Sequence, residues 1–250
     1  MPEQQPSAAI LIIGNEILSG RTQDVNIAFL AKELSALGIP VREVRVVPDV
    51  EAEIVAAINH LRQRYRYLFT TGGIGPTHDD ITSECVAKAF GRKLILHPAA
   101  NQLLLNYYGA EKYNAARQRM AMTPEGAELV DNPVSLAPGY QVENVFVLAG
   151  VPKIMQAMFQ SLKPRLVGGP PLLSASVTGY VGEGQIAQGL EQIQLRFPAL
   201  DIGSYPFQRA DGRYGTQLVV RGTDRADLLQ ARDEIARLVE SFGEQPVIEG

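Results

Sequence analysis

The chain is poor in cysteine, in long apolar runs and in positive charge, and each shortage removes a class of protein. A single cysteine, Cys85, leaves no intramolecular disulfide and fits a reducing cytoplasm. It falls in a helix-like run, where a buried structural thiol is a plainer reading than a nucleophile. No stretch approaches the roughly 18 consecutive apolar residues of a transmembrane helix. Met1 to Ala9 lacks the basic patch and apolar core of a signal peptide. Net charge is −4 and there is no Lys/Arg block, which argues against nucleic acid as the main partner. Nucleophile elbow, Cys/His pair, zinc spacing and P-loop lysine are all absent. What is there is a globular balance, 46% hydrophobic and 20% charged over 250 residues, enough for one large domain or two smaller ones.

Periodicity sets the order of elements. Ala8 to Ile13 is continuously apolar, the pattern of a strand buried on both faces. Ile27, Leu30, Ala31, Leu34 and Leu37 recur at helical spacing, and Gly38 is a natural stop. Val41 to Val47 alternates apolar with charged residues. Asp49 is placed to cap a helix whose face is Ile54, Val55, Ile58 and Leu61. The strand-like Tyr67-Leu68-Phe69 and the helix-like run Ile81 to Phe90 follow. Strands alternating with helices predict right-handed crossovers and a parallel sheet, an α/β fold. Ala100 to Tyr108 reads as a helix, and 109–140 as a polar excursion with a loop or small hairpin. Val145 to Ala149 reads as a strand and Lys153 to Leu162 as a helix.

The pattern breaks at Gly168-Gly169-Pro170-Pro171, a hinge between an expected domain 1–166 and a second at 171–250. In the second, Leu173 to Val181 reads as a strand and Glu183 to Phe197 as a helix. Asp201 to Arg209 and Thr216 to Gly222 are strands around the turn Asp211-Gly212, and Asp224 to Phe242 is a last helix. This βαββα order predicts a small α+β module, and its polar residues form no catalytic cluster.

The chemistry concentrates in Thr70-Thr71-Gly72-Gly73-Ile74-Gly75-Pro76-Thr77-His78-Asp79-Asp80-Ile81-Thr82. Three glycines in four positions let backbone N–H groups approach a ligand, and the following helix start suits a phosphate. Asp79 and Asp80 would repel a bare phosphate unless a cation lay between them. The plainer alternative is a glycine turn with an acidic cap. Two other polar segments also follow strands: Gly14-Asn15-Glu16 through Asp24 and Asn26, and Gly150-Val151-Pro152. Ligands of open parallel sheets bind at those strand ends, which puts all three segments in one site. Glu16 is a candidate metal ligand or general base, or a solvated loop carboxylate. Asp24 is a ligand or a helix cap, and His78 a proton shuttle or an exposed loop histidine.

Together these residues resemble the molybdopterin-binding (MoaB/Mog-like) domain, as it occurs at the N-terminus of competence/damage-inducible protein A. The matching motifs are Ile13 to Gly20, Asp24 with Asn26, Thr71 to Thr82, Asn132-Pro133 with Ala137-Pro138-Gly139, and Gly150-Val151-Pro152. They stand in the family's order over about residues 8–165, with Val25 where a threonine is expected. The resemblance implies a three-layer α/β sandwich with a mostly parallel sheet. It implies a phosphorylated small ligand, a dinucleotide such as ADP-ribose or FAD, or molybdopterin itself. Its ligand-binding positions would be Gly14, Asn15, Asn26, Thr71, Gly72, Gly73, Ile74, Gly75, Pro76, Thr77, Gly139, Gly150 and Pro152. Glu16, Asp79 and Asp80 would be catalytic, with Asp80 and Glu16 holding a divalent metal, magnesium, manganese or cobalt. Metal-dependent pyrophosphatase activity and a homo-oligomer are implied as well. The deamidase domain of the full competence protein is not expected in this sequence.

Overall fold

The first strand, β1 (Ala8–Ile13), is buried at every position, because layers of helices cover both of its faces. The computed structural model describes residues 5–210 and 212–250. Asp211 of the expected Asp211-Gly212 turn, and residues 1–4 of the segment read for a signal peptide, lie outside them. After β1 come a short helix α1 (Asn15–Leu18), then α2 (Asn26–Ala36), β2 (Val41–Val47), α3 (Glu51–Arg64), β3 (Tyr67–Thr71) and α4 (Thr82–Ala89). The chain continues through β4 (Leu94–Leu96), α5 (Pro98–Tyr108), α6 (Ala115–Arg119), β5 (Met122–Pro124), β6 (Glu128–Val130), β7 (Gly139–Val142), β8 (Val145–Leu148) and α7 (Pro152–Leu162).

One six-stranded sheet runs β2-β1-β3-β8-β7-β6. β2, β1, β3 and β8 are parallel, while β7 is antiparallel to β8 and β6 to β7. Ile10 and Ile12 share one face with Phe69 and Phe146, which stack at 5.1 Å, and meet Leu30, Leu34 and Phe159 of α2 and α7. Leu11, Ile13 and Leu68 share the other face with Ile54, Ile58 and Val86 of α3 and α4. The result is a three-layer, mostly parallel sandwich: the alternation of elements predicts its parallel sheet, and the family resemblance its three layers.

Two local readings change. Asp49 does not cap α3, whose N-cap is Val50; its Oδ2 instead accepts the Asn15 N–H at 2.9 Å. The 109–140 excursion is more than a loop: it holds α6, β5 and β6, with β5 pairing back to β4 and β6 extending the main sheet. These strands have three residues each, too few for a period to show.

Unit 1 ends at Gly169, and Pro170–Gly250 forms a second compact unit. It contains β9 (Leu173–Gly179), α8 (Glu183–Arg196), β10 (Asp201–Gln208), β11 (Tyr214–Gly222), α9 (Arg225–Glu240) and β12 (Val247–Glu249). Its sheet, β10-β11-β9-β12, is antiparallel throughout. Val177, Leu218 and Val220 meet Ile186, Ile193 and Ile235 in its core. Asp224 caps α9 by accepting the Ala226 and Asp227 N–H groups. β12 escapes the sequence reading because it is short and exposed, held by pairing with β9 alone.

Candidate functional site

Three loops leave the carboxyl ends of β1, β3 and β8, which are adjacent in the sheet. The β3 loop is the most constrained. Gly72 (φ 101°) and Gly73 (φ 68°) take left-handed backbone that other residues rarely adopt. A Cβ at Gly72 would meet the Ile13 carbonyl at 2.1 Å, and one at Gly73 the Thr82 hydroxyl at 2.1 Å. Thr82, fully buried at the start of α4, closes the turn: its hydroxyl donates to the Gly72 carbonyl (2.9 Å) and its N–H to Gly73 (3.0 Å). Asp80 folds back over Gly75, and its Oδ2 accepts the Thr77 N–H at 2.9 Å. The Thr77 hydroxyl lies 2.6 Å from both Asp80 Oδ2 and Asp79 Oδ1, so its one proton serves two carboxylates. That hydroxyl, and then its own backbone N–H, hold the Asp79 carboxyl below its usual range.

In the β1 loop, the Asp49 bond ties down the start of α1, and the Glu16 carboxylate lies against Gly14 with no hydrogen-bond partner among the described residues. Asp24, one residue before the Val25 N-cap of α2, accepts the Ile27 N–H at 2.8 Å. The β8 loop is held by Asn26, whose amide donates to the Gly150 carbonyl at 2.9 Å. A fourth wall comes from the excursion. Asn132 organises its loop by accepting the Val134 and Ser135 N–H groups, and the Arg119 guanidinium donates to the Asp80 carbonyl at 3.1 Å.

Between these loops lies a cleft of about 510 Å³. Of the residues singled out from sequence, Glu16, Gly72, Gly73, Ile74, Gly75, Pro76, Asp80, Gly150 and Pro152 line it, with Asn132, Ala137, Pro138 and Val151 of the flanking motifs. Gly14, Asn15, Asn26, Thr71 and Thr77 do not line it: Gly14, Asn26 and Thr71 are buried, and Asn15 and Thr77 are exposed. Gly139 is a packing position in β7, where a Cβ would meet the Val147 carbonyl at 2.6 Å. Asp79 and His78 are exposed and off the cleft wall. The sequence reading missed Thr22, Met120, Ser135, Ile154 and Met158. Only the last pair left a signal, four residues apart on one face of α7.

Among the described residues no group of three or more His, Cys, Asp or Glu side chains could hold a metal. Glu16 and Asp80 remain: Thr77 engages Asp80 Oδ2, while Asp80 Oδ1 and both Glu16 carboxylate oxygens have no hydrogen-bond partner among the described residues. Two carboxylates suit a hard cation that completes its shell with water and ligand phosphates rather than a cation in an all-protein cage.

Residues 9–168 match the family described as a probable molybdopterin binding domain. The chain belongs to that family. The crystal structure of CinA from Thermoplasma acidophilum, a protein of unknown function, superposes with a TM-score of 0.61 at 34% identity. It covers 64% of this chain and 98% of that one. A protein of Aeropyrum pernix is 36% identical over 96% of both chains. A CinA-like protein of Desulfosudis oleivorans is 37% identical over 78% of this chain, which spans about half (53%) of that relative. Residues 171–245 match the middle domain of FAD synthase. No described helix is long and apolar enough to cross a membrane.

Proposed function

We propose that this protein is a nucleotide-pyrophosphatase-like hydrolase that cleaves a dinucleotide such as ADP-ribose or FAD with a divalent cation. One observation carries the reading: a single cleft has two carboxylates from separate loops, Glu16 and Asp80, beside the Gly72–Gly75 backbone. The N–H groups of Gly73, Ile74 and Gly75 bond no other described residue and are free to meet a diphosphate. Met120, Pro138, Ile154 and Met158 give the same cleft an apolar wall for a flat ring. A cation held by Glu16 and Asp80 supplies charge neutralisation and water activation. The match of the second unit to a domain of FAD synthase favours a dinucleotide over a mononucleotide.

The apolar wall and the family also support a second reading, a binder of molybdopterin or its adenylate, in which the cradle works without hydrolysis. The deciding experiment incubates the protein with ADP-ribose or FAD and magnesium, manganese or cobalt, and measures AMP. AMP release is expected with at least one metal. No release with any metal, together with tight pterin binding, selects the second reading.

A further inference from the structure

Asn26 opens α2 and is only 3% exposed. Its nitrogen donates to the Gly150 carbonyl, and its buried oxygen has no partner among the described residues. An unpartnered buried oxygen costs about 1–3 kcal/mol. A residue present only to fill this space would be apolar. The feature that offsets the cost is the amide donor, committed to one carbonyl on a distant loop.

That bond fixes a peptide plane. A trans peptide sets the C=O of one residue and the N–H of the next on opposite sides. The Gly150 carbonyl turns toward α2, so the Val151 N–H turns away from it. Val151 stands on the cleft wall, 56% exposed, and its N–H has no hydrogen-bond partner among the described residues. The β3 and β8 loops also approach closely here, since a Cβ on Gly150 would lie 3.2 Å from the Gly72 Cα. Pro152 follows at the start of α7 and carries no N–H of its own, which leaves Val151 as the donor at this point of the wall.

We propose that Asn26 is a positioning residue: it orients the Gly150–Val151 peptide so that the Val151 N–H hydrogen-bonds an oxygen of the ligand's diphosphate. The proposal rests on the pyrophosphatase reading. It assigns the third loop a task that the glycine turn and the two carboxylates leave open. Asn26 itself does not touch the ligand.

The test uses inorganic pyrophosphate with magnesium, titrated into the ¹⁵N-labelled protein while the Val151 amide resonance is followed. In the wild type that resonance should shift along the same curve as overall binding. In Asn26→Asp the carboxylate faces the Gly150 carbonyl with no proton to donate. Affinity should fall about tenfold, the weight of one charge-assisted hydrogen bond, and the Val151 shift should vanish while the fold persists. A folded Asn26→Asp protein with wild-type affinity and an intact Val151 shift overturns the proposal. So does wild-type binding that leaves Val151 unmoved, and this second measurement decides even if the variant does not fold. Absence of any pyrophosphate binding by the wild type removes the pyrophosphatase reading as well, which separates that failure from a silent Val151.

Discussion

Thr70 and Thr82 are both fully buried threonines flanking the glycine turn, yet substitution should move them in opposite directions. The Thr82 hydroxyl satisfies the Gly72 carbonyl, whereas the Thr70 hydroxyl has no partner among the described residues. Thr82→Val should cost about 1–3 kcal/mol in denaturant unfolding, because it strands a buried acceptor. Thr70→Val should leave stability unchanged or raise it by about 1 kcal/mol in the same measurement. For the carboxylates of the cleft, Asp80→Asn and Glu16→Gln should each abolish metal-dependent AMP release with little change in melting temperature. An amide oxygen at position 80 can still accept the Thr77 N–H, so the fold is spared while the charge is lost. If turnover survives in Asp80→Asn, that side chain serves the turn alone. The Tyr65 hydroxyl, then Arg45, lower the Glu43 carboxyl. A depressed carboxyl stabilises the fold above its unfolded pKa and loses that contribution as pH falls through the folded value. Glu43→Gln should therefore flatten the drop in melting temperature below about pH 4.5 and leave the profile near neutrality unaltered in shape. Burial raises the Cys85 thiol to about 12, so it should not react with a thiol reagent in the native protein at neutral pH.

At the scale of elements, what the sequence disclosed depended on length and on burial. β1, β3 and β8 were legible because buried parallel strands carry continuous apolar runs, in β3 Tyr67-Leu68-Phe69 ahead of two threonines, and the glycine turn because only glycine tolerates its backbone. The α/β sandwich followed from their alternation with helices. β4, β5, β6 and β12 were not legible: three residues carry no period, and pairing across the fold, not propensity, makes them strands. The candidate site divides the same way. Residues on the three loops stood next to recognisable strands, whereas Met120 comes from the excursion and reaches the cleft only through tertiary structure. Asp79 illustrates the limit from the other side, since adjacency to Asp80 in sequence did not give it the same orientation. The excursion's tie to the turn is Arg119, which bonds the Asp80 carbonyl and pairs with Glu84 at 3.7 Å. Arg119→Ala should raise KM for the dinucleotide more than it lowers kcat, because it loosens the wall without removing a carboxylate. Steady-state kinetics that show the reverse split would place Arg119 closer to the reacting atoms.

For the whole molecule, the described residues that line the cleft all belong to the first unit. A fragment ending at Gly169 should fold and keep the activity. One ending at Leu166 should melt lower, because the Tyr67 hydroxyl both accepts the Val167 N–H (2.9 Å) and donates to its carbonyl (3.2 Å). Two such bonds are worth about 1–3 kcal/mol together. Equal melting temperatures would mean that 167–169 are mere linker. Sedimentation of the same fragment would show whether self-association, implied by the family resemblance, needs the second unit. The strand order also has a consequence for how the chain is made. β3 emerges from the ribosome with β1 and β2 already available, but its other neighbour, β8, comes only after α4 through β7. Until then β3 is a bare edge, and Gly72 lacks the Leu148 carbonyl that its N–H will bond. At about 5–20 residues per second that interval lasts on the order of 5–15 s. The nascent half-sheet is therefore exposed to strand-pairing errors for nearly half of the synthesis of this unit, and the cleft cannot hold a ligand before its last loop is translated.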